Sequence, residues 1–320
     1  MIKAIADKIK ASENIALMAH INEDGDALGS VFALCRILEN LGKKAVCYLD
    51  DEPERRLRFL NGKYEIYKGE DVLNFDLCFA LDCADKSRLG DLRVKIFDNA
   101  KSTVCIDHHI TNQGYADINI IKPYATSTGE VLFEVLDECG FCLDSYSAMC
   151  LYTAIASDSG CFKYSSTSPK TMRIAAELLE FDFDHADVLR LLFDTEELEN
   201  IKLKGYVMNN IESFLDGKIQ LVMTDEEILD RFCVSEKDAT DLVNIPRMVS
   251  GCEVAVELKK RKGKIRLSLR SHHIDISDVA KEFGGGGHKF AAGAEVEAKD
   301  MDEAKKLVVD ALIKKLSLEK

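Results

Sequence analysis

Long apolar runs are missing from this chain. The longest, residues 14–19 and 77–81, are strand-length and fall far short of the ~18 residues that a membrane helix requires. The amino terminus, MIKAIADKIKASENI, breaks its apolar residues with charge and has no signal-peptide core. No membrane association is expected, and a cytoplasmic protein is. Positive charge is scarce too: 42 Lys and Arg against 56 Asp and Glu leave a formal charge of −14. Affinity for duplex nucleic acid grows with the number of phosphates neutralised, so long duplexes are not expected partners. A disulfide framework is unexpected, because eleven cysteines are an odd number and most lie inside apolar runs such as DLCFALDC and TVCID, where buried free thiols are the rule. Cys139 and Cys142 have C-x-x-C spacing, yet no second pair or nearby histidine completes a zinc site. Histidine is also sparse. Of the seven in 320 residues, two stand together in IDHHIT, residues 106–111.

The size, with 47% hydrophobic residues, exceeds what one core usually fills, so two domains are expected. Strand-like segments at 14–20, KAVCYL, DLCFALD and TVCIDHH alternate with helical ones such as 26–42, which Gly42 stops, and a helix opened by a Ser127/Glu130 capping box. That alternation predicts an α/β domain with a parallel sheet over residues 1–195. Residues 196–216 read as a linker helix, EELENIKLKGYVMNNIESFL, leading to a smaller α+β domain over 217–320. Here the little positive charge is concentrated: KKRKGKIRLSLR, 259–270, carries seven Lys or Arg and no acid. Within it Ile265, Leu267 and Leu269 alternate with Arg266, Ser268 and Arg270, a strand with one apolar and one basic face entered through a turn at Lys262-Gly263.

Ligands in open α/β sheets bind beyond the carboxyl ends of the strands. The apolar segments end in His20, Asp24 and Asp26; in Asp82; in Asp107, His108 and His109; and, after a helical stretch, in Asp158. Each alone has a structural explanation as a turn or cap. Together, so many carboxylates would repel unless cations held them. Carboxylates with imidazole and no thiolate motif favour Mn²⁺, then Mg²⁺ or Co²⁺, and ions in pairs point to phosphoester hydrolysis. Strand alternation predicts that His108 and His109 face opposite ways.

In order, HINEDGDALGS, ALDCAD, DHH and SDSG resemble the four motifs of the DHH phosphoesterases, and FGGGGHKFAAGAE (283–295) with RLSLRS upstream resembles the DHH-associated substrate-binding domain. The two-domain layout is most similar to the NrnA-type bifunctional oligoribonucleases and pAp phosphatases. The resemblance implies two Mn²⁺ per chain, one on His20, Asp24 and Asp82, the other on Asp26, Asp82, His108 and Asp158, with Asp82 bridging. It implies that Asp107 orients the metal-binding histidine and that His109 meets the scissile phosphate or helps protonate the leaving group. Arg270, Gly285, Gly286, Gly287 and His288 would bind the nucleotide's other phosphate or base, since glycines free backbone N–H groups for an anion. Many relatives have proline where this chain has Glu23, a change expected to loosen the first metal loop and add charge beside it; Ser159 in place of threonine keeps the fourth motif's carboxylate. The implied substrates are short 5′-phosphorylated RNAs, degraded to mononucleotides, and pAp, converted to AMP and phosphate. Alternatives are a phosphodiesterase for cyclic dinucleotides or linear pApA and, from another class, a nucleotide sensor without turnover. The absence of an OB-like domain speaks against a RecJ-type exonuclease, and the GGGGH loop against a pyrophosphatase. The motifs accommodate a monomer or a homodimer.

Overall fold

The computed structural model describes residues 1–69 and 73–318, in two compact units, Met1–Thr195 and Glu196–Lys320. In the first unit β1 (Asn14–Met18), β2 (Lys44–Leu49), β3 (Glu65–Ile66), β4 (Leu77–Leu81), β5 (Thr103–Asp107) and β6 (Ile118–Ile121) form a parallel sheet in the order β3-β2-β1-β4-β5-β6. Every residue of β4 is buried. Leu77, Phe79 and Leu81 join the core under helices Gly25–Asn40, Thr128–Cys139 and Ser145–Asp158, while Cys78 and Ala80 pack with Ile96 and Phe97 on the opposite face. Burial on both faces is why β4 reads as an unbroken apolar run. Strand order reverses between β1 and β4, so their carboxyl ends open the crevice where such sheets bind ligands.

Two glycines bring one side of that crevice together. A Cβ on Gly25 would stand 2.5 Å from Ser157 Oγ, and one on Gly29 would stand 2.5 Å from the Cys150 carbonyl oxygen. Helix Gly25–Asn40 can therefore lie directly against helix Ser145–Asp158, and Asp26 at the start of one comes beside Asp158 at the end of the other. The capping box expected of Ser127 and Glu130 is half realised: Ser127 Oγ accepts the Glu130 N–H, but the buried Glu130 carboxylate accepts from the Thr126 N–H and Thr171 Oγ1 instead of from Ser127. No helix among the described residues is long and apolar enough to cross a membrane.

The second unit holds β7 (Glu212–Phe214), β8 (Ile219–Thr224), β9 (Val254–Arg261), β10 (Lys264–Ser271), β11 (Gly286–His288) and β12 (Ala291–Val296), ordered β11-β12-β10-β9-β8-β7. Only β8 and β9 run parallel in this sheet. The chain is thus α/β followed by α+β. Lys262 and Gly263 both have positive φ, 50° and 76°, which suits the two-residue turn joining β9 to β10. The helix expected over 196–215 is shorter, Leu198–Asn209. Asn210 ends it, its side chain donating to the Tyr206 carbonyl at 2.8 Å, and residues 212–214 pair with β8 instead.

Candidate metal centre

Asp82, directly after β4, is the hub. It sits at φ 53°, a left-handed conformation uncommon outside glycine that functional sites tolerate. Its Oδ2 lies 3.5 Å from His20 Nε2, and its Oδ1 lies 3.6 Å from both His108 Nε2 and His109 Nδ1. On one side of it His20 Nε2 is 3.9 Å from Asp24 Oδ1; on the other, His108 Nε2 is 3.8 Å from Asp26 Oδ2 and 3.2 Å from Asp158 Oδ2. His20, Asp24 and Asp82 thus form one ligand group, and Asp26, His108 and Asp158 another, with Asp82 in reach of both.

Local structure aims these groups. The Asp24 carboxylate caps helix Gly25–Asn40 by accepting the Asp26 and Ala27 N–H groups, both at 3.1 Å. Asp26 is fully buried and accepts the Thr128 N–H at 2.6 Å and the Gly129 N–H at 2.9 Å, the otherwise unpaired donors of a helix start. Thr128 Oγ1 donates to Asp82 Oδ1 at 3.0 Å. His20 Nδ1 lies 2.8 Å from the Ile21 carbonyl, and His108 Nδ1 lies 3.3 Å from the Ala125 carbonyl. A carbonyl only accepts, so each Nδ1 carries a hydrogen and each Nε2 faces the cluster, where a bound metal would replace any proton it holds.

The electrostatics show what is missing. Burial, reinforced by the charges of Asp82, Asp158 and Asp24, pushes the Asp26 carboxyl well above its ordinary range. Burial and the Asp82 and Asp24 charges push Asp158 up to about 8, and burial with Asp82 raises Asp24. At Asp82 burial works upward as well, but the His20 hydrogen bond and the charges of the histidines outweigh it and lower the pKa. Burial disfavours His20 as a cation, yet the Asp82 hydrogen bond and nearby carboxylates raise it to about 9. Protons and imidazolium stand where positive charge is needed. Four carboxylates and two Nε2 lone pairs, with no thiolate among them, suit hard or borderline divalent ions, so the residues fit the expected metals.

Three expectations need correction. Alternation predicts that His109 turns away from His108, but β5 ends at Asp107, so the rule lapses. The two rings lie 4.6 Å apart, and both approach Asp82. Nor does Asp107 orient the histidine that faces Asp26 and Asp158. Its Oδ1 is 2.7 Å from His109 Nδ1 and accepts the His108 backbone N–H, while the His108 ring is held by Ala125. The Asp107 hydrogen bond, against the effect of burial and with help from the Asp82 charge, raises the His109 pKa. Glu23 does not loosen its loop either. It is buried, accepts from the Asp50 N–H at 2.8 Å and forms a 2.5 Å ion pair with buried Arg93, which neutralises its charge.

Sequence reasoning missed Asn112, whose amide donates to Asp107 Oδ2 at 2.6 Å and to the Cys83 carbonyl at 3.1 Å. It also missed Thr128, Gly129 and Arg93, which carry no motif of their own. In the second unit, Arg270 and His288 both pair with Ala291 of β12, from opposite sides. They therefore share one face of the sheet, two strand spacings or about 10 Å apart. The glycine run is less open than expected: the Gly284 and Gly285 N–H groups donate to the Lys281 and Ala280 carbonyls, and Gly286–His288 pair with β12. Gly285 is required for close packing, since a Cβ there would stand 2.1 Å from the Gly293 oxygen. Gly287, at φ 143°, has backbone freedom that only glycine tolerates well.

Comparison with known proteins agrees with these features. The DHH family, N-terminal domain, matches residues 14–155, and the DHHA1 domain matches residues 227–314. The bifunctional oligoribonuclease and PAP phosphatase NrnA of Thermus thermophilus is 32% identical over 99% of this chain and 94% of its own length. Among solved structures, an exopolyphosphatase-related protein from Bacteroides fragilis superposes with a TM-score of 0.93 at 26% identity, covering 100% of this chain and 97% of that one. RecJ from Thermus thermophilus, in complex with Mn²⁺, shares the fold at a TM-score of 0.57 and 13% identity, over 98% of this chain and 55% of that one.

Proposed function

The chain belongs to the DHH family, and from that premise we propose that it hydrolyses short oligoribonucleotides to mononucleotides and pAp to AMP and phosphate. The observation that carries this reading is a single carboxylate, Asp82, in reach of two ligand groups, within a chain similar over nearly its whole length to an oligoribonuclease and PAP phosphatase. We assign one divalent ion to His20, Asp24 and Asp82, and a second to Asp26, Asp82, His108 and Asp158. The mixture of imidazole and carboxylate favours Mn²⁺, with Mg²⁺ or Co²⁺ as substitutes. When bound, such a pair polarises the phosphoryl oxygens and activates water.

The chain's own residues do the rest. His20 and His108 turn Nε2 toward the site because carbonyls hold their Nδ1 hydrogens, and a bound ion would take the Nε2 lone pairs. His109 keeps its Nδ1 on Asp107, so its Nε2 is free to meet the scissile phosphate. The raised pKa that Asp107 confers keeps a proton on that nitrogen for the departing oxygen. Asp107 is therefore a positioning residue, and His109 the proton donor. In the second unit we assign Arg270 and His288, with Gly285, Gly286 and Gly287 beside them, to binding a phosphate group of the substrate. The Gly285 N–H is already bonded to the Ala280 carbonyl, so the part of Gly285 is to let the strands pack closely.

The test is product analysis with Mn²⁺ on pAp, on 5′-phosphorylated RNAs from two nucleotides upward, and on cyclic di-AMP. Release of mononucleotides from the shortest RNAs together with phosphate from pAp is expected. Turnover of the cyclic dinucleotide alone would replace this reading with a signalling phosphodiesterase, and binding without turnover would replace it with a sensor.

A further inference from the structure

Apart from terminal Met1, the two most exposed large apolar side chains among the described residues flank the histidine pair. Tyr124 is 94% exposed and Ile110 is 71% exposed. Ile110 directly follows His109. Tyr124 directly precedes Ala125, whose carbonyl fixes His108. Exposed apolar side chains scattered singly need no explanation, but two beside one polar cluster do.

The mount of Tyr124 is rigid. The Lys122 N–H donates to the Asp107 carbonyl at 3.0 Å, and the Ala125 N–H closes a turn onto the Lys122 carbonyl at 2.9 Å. Pro123 occupies the second position of that turn, where its fixed φ belongs. The Tyr124 Cα is one residue, about 3.8 Å, from that of Ala125. The ring is thus carried on backbone tied to the DHH segment and to the His108 ring, and is itself free to turn about its own two torsions. An exposed aromatic side chain beside a site that takes phosphoesters suits a flat, uncharged base.

We propose that Tyr124, flanked by Ile110, is a stacking platform for the base of the nucleotide whose phosphate lies at the metal centre. It would make the site prefer nucleotides to base-free phosphoesters. The proposal rests on the phosphoesterase reading above.

Stacking on an aromatic side chain is worth roughly 5- to 150-fold in affinity. Tyr124→Ala should lower kcat/KM for pAp by about tenfold or more, chiefly through KM. It should leave ribose 3′,5′-bisphosphate unaffected, and Tyr124→Phe should restore the value for pAp. The chain has no tryptophan, so Tyr124→Trp installs a single tryptophan, excited apart from the tyrosines, at the proposed platform. Its emission should be quenched by pAp and not by ribose 3′,5′-bisphosphate. Equal losses on both substrates, or an unquenched fluorophore, overturn the platform. If the wild type hydrolyses neither substrate, the phosphoesterase reading fails, and the fluorescence arm still decides whether a base stacks at Tyr124.

Discussion

Asn112→Ala removes the amide that ties the DHH segment to the loop behind Asp82. In the wild type this side chain is 7% exposed. It donates to Asp107 Oδ2 at 2.6 Å and to the Cys83 carbonyl at 3.1 Å, and its own oxygen accepts the Gly114 N–H at 2.8 Å. A bond to a buried carboxylate contributes about 1.5–3 kcal/mol and a neutral one about 0.5–1.5, so a loss of about 2–4 kcal/mol is expected after partial relaxation. In a unit of this size that lowers the melting midpoint by roughly 5–15 °C. The functional effect is separable. With Asp107 held from one side only, the His109 imidazole drifts, and small misplacements of a reacting group cost about 100-fold in kcat. The proton on His109 is also held less firmly, because its pKa is raised first of all by Asp107. The alkaline limb of the kcat profile should therefore move to lower pH. Circular dichroism melts and pH profiles of pAp hydrolysis, measured below the variant's midpoint, test both effects. Wild-type kcat with an unmoved alkaline limb would refute the assignment of Asn112 and Asp107 as positioning residues.

Arg93→Met leaves Glu23 as an uncompensated buried charge and should cost about 3–5 kcal/mol, measured by urea denaturation; a cost below about 1 kcal/mol would mean that the pair does not hold the first metal loop. Metal-free protein should lose stability as pH rises from 5 to 9. Asp158 and His20 both have folded pKa values raised, to about 8 and about 9, so the stability linked to their protons is full below their unfolded values and is lost through the folded ones. Melts in EDTA should show that decline, and Mn²⁺ should abolish it by replacing the protons, with its largest stabilisation at high pH; a midpoint in EDTA that climbs with pH contradicts this. Gly29→Leu should separate the helices that carry Asp26 and Asp158, because a Cβ there already meets the Cys150 carbonyl oxygen at 2.5 Å; weaker Mn²⁺ binding by calorimetry is expected, and unchanged affinity would show that this packing does not set the site.

The residues of the cluster could be read from the sequence because strands buried on both faces announce their own ends: an apolar run stops, and the next polar residues are those at the crevice. His20, Asp82 and His108 follow β1, β4 and β5 in this way. The pairing of His109 with Asp107 could not be read, because alternation holds only while a strand continues and β5 ends one residue before His108. Asn112 and Arg93 were hidden for a different reason. Each acts through a partner brought near by folding, and Arg93 lies 70 positions from Glu23. Local propensity also misjudged residues 210–215, where edge pairing with β8 prevails over helical continuation. The glycine run was recognised by composition, but composition does not reveal that two of its N–H groups close the preceding helix.

The most direct test is a titration of phosphate release from pAp against Mn²⁺ added per chain, starting from metal-stripped protein, with Asp82→Ala alongside. Activity that rises to saturation at two ions per chain, and is absent from the variant at every ratio, is what a shared carboxylate between two ligand groups requires. Saturation at one ion, or turnover by Asp82→Ala comparable to the wild type, would contradict it.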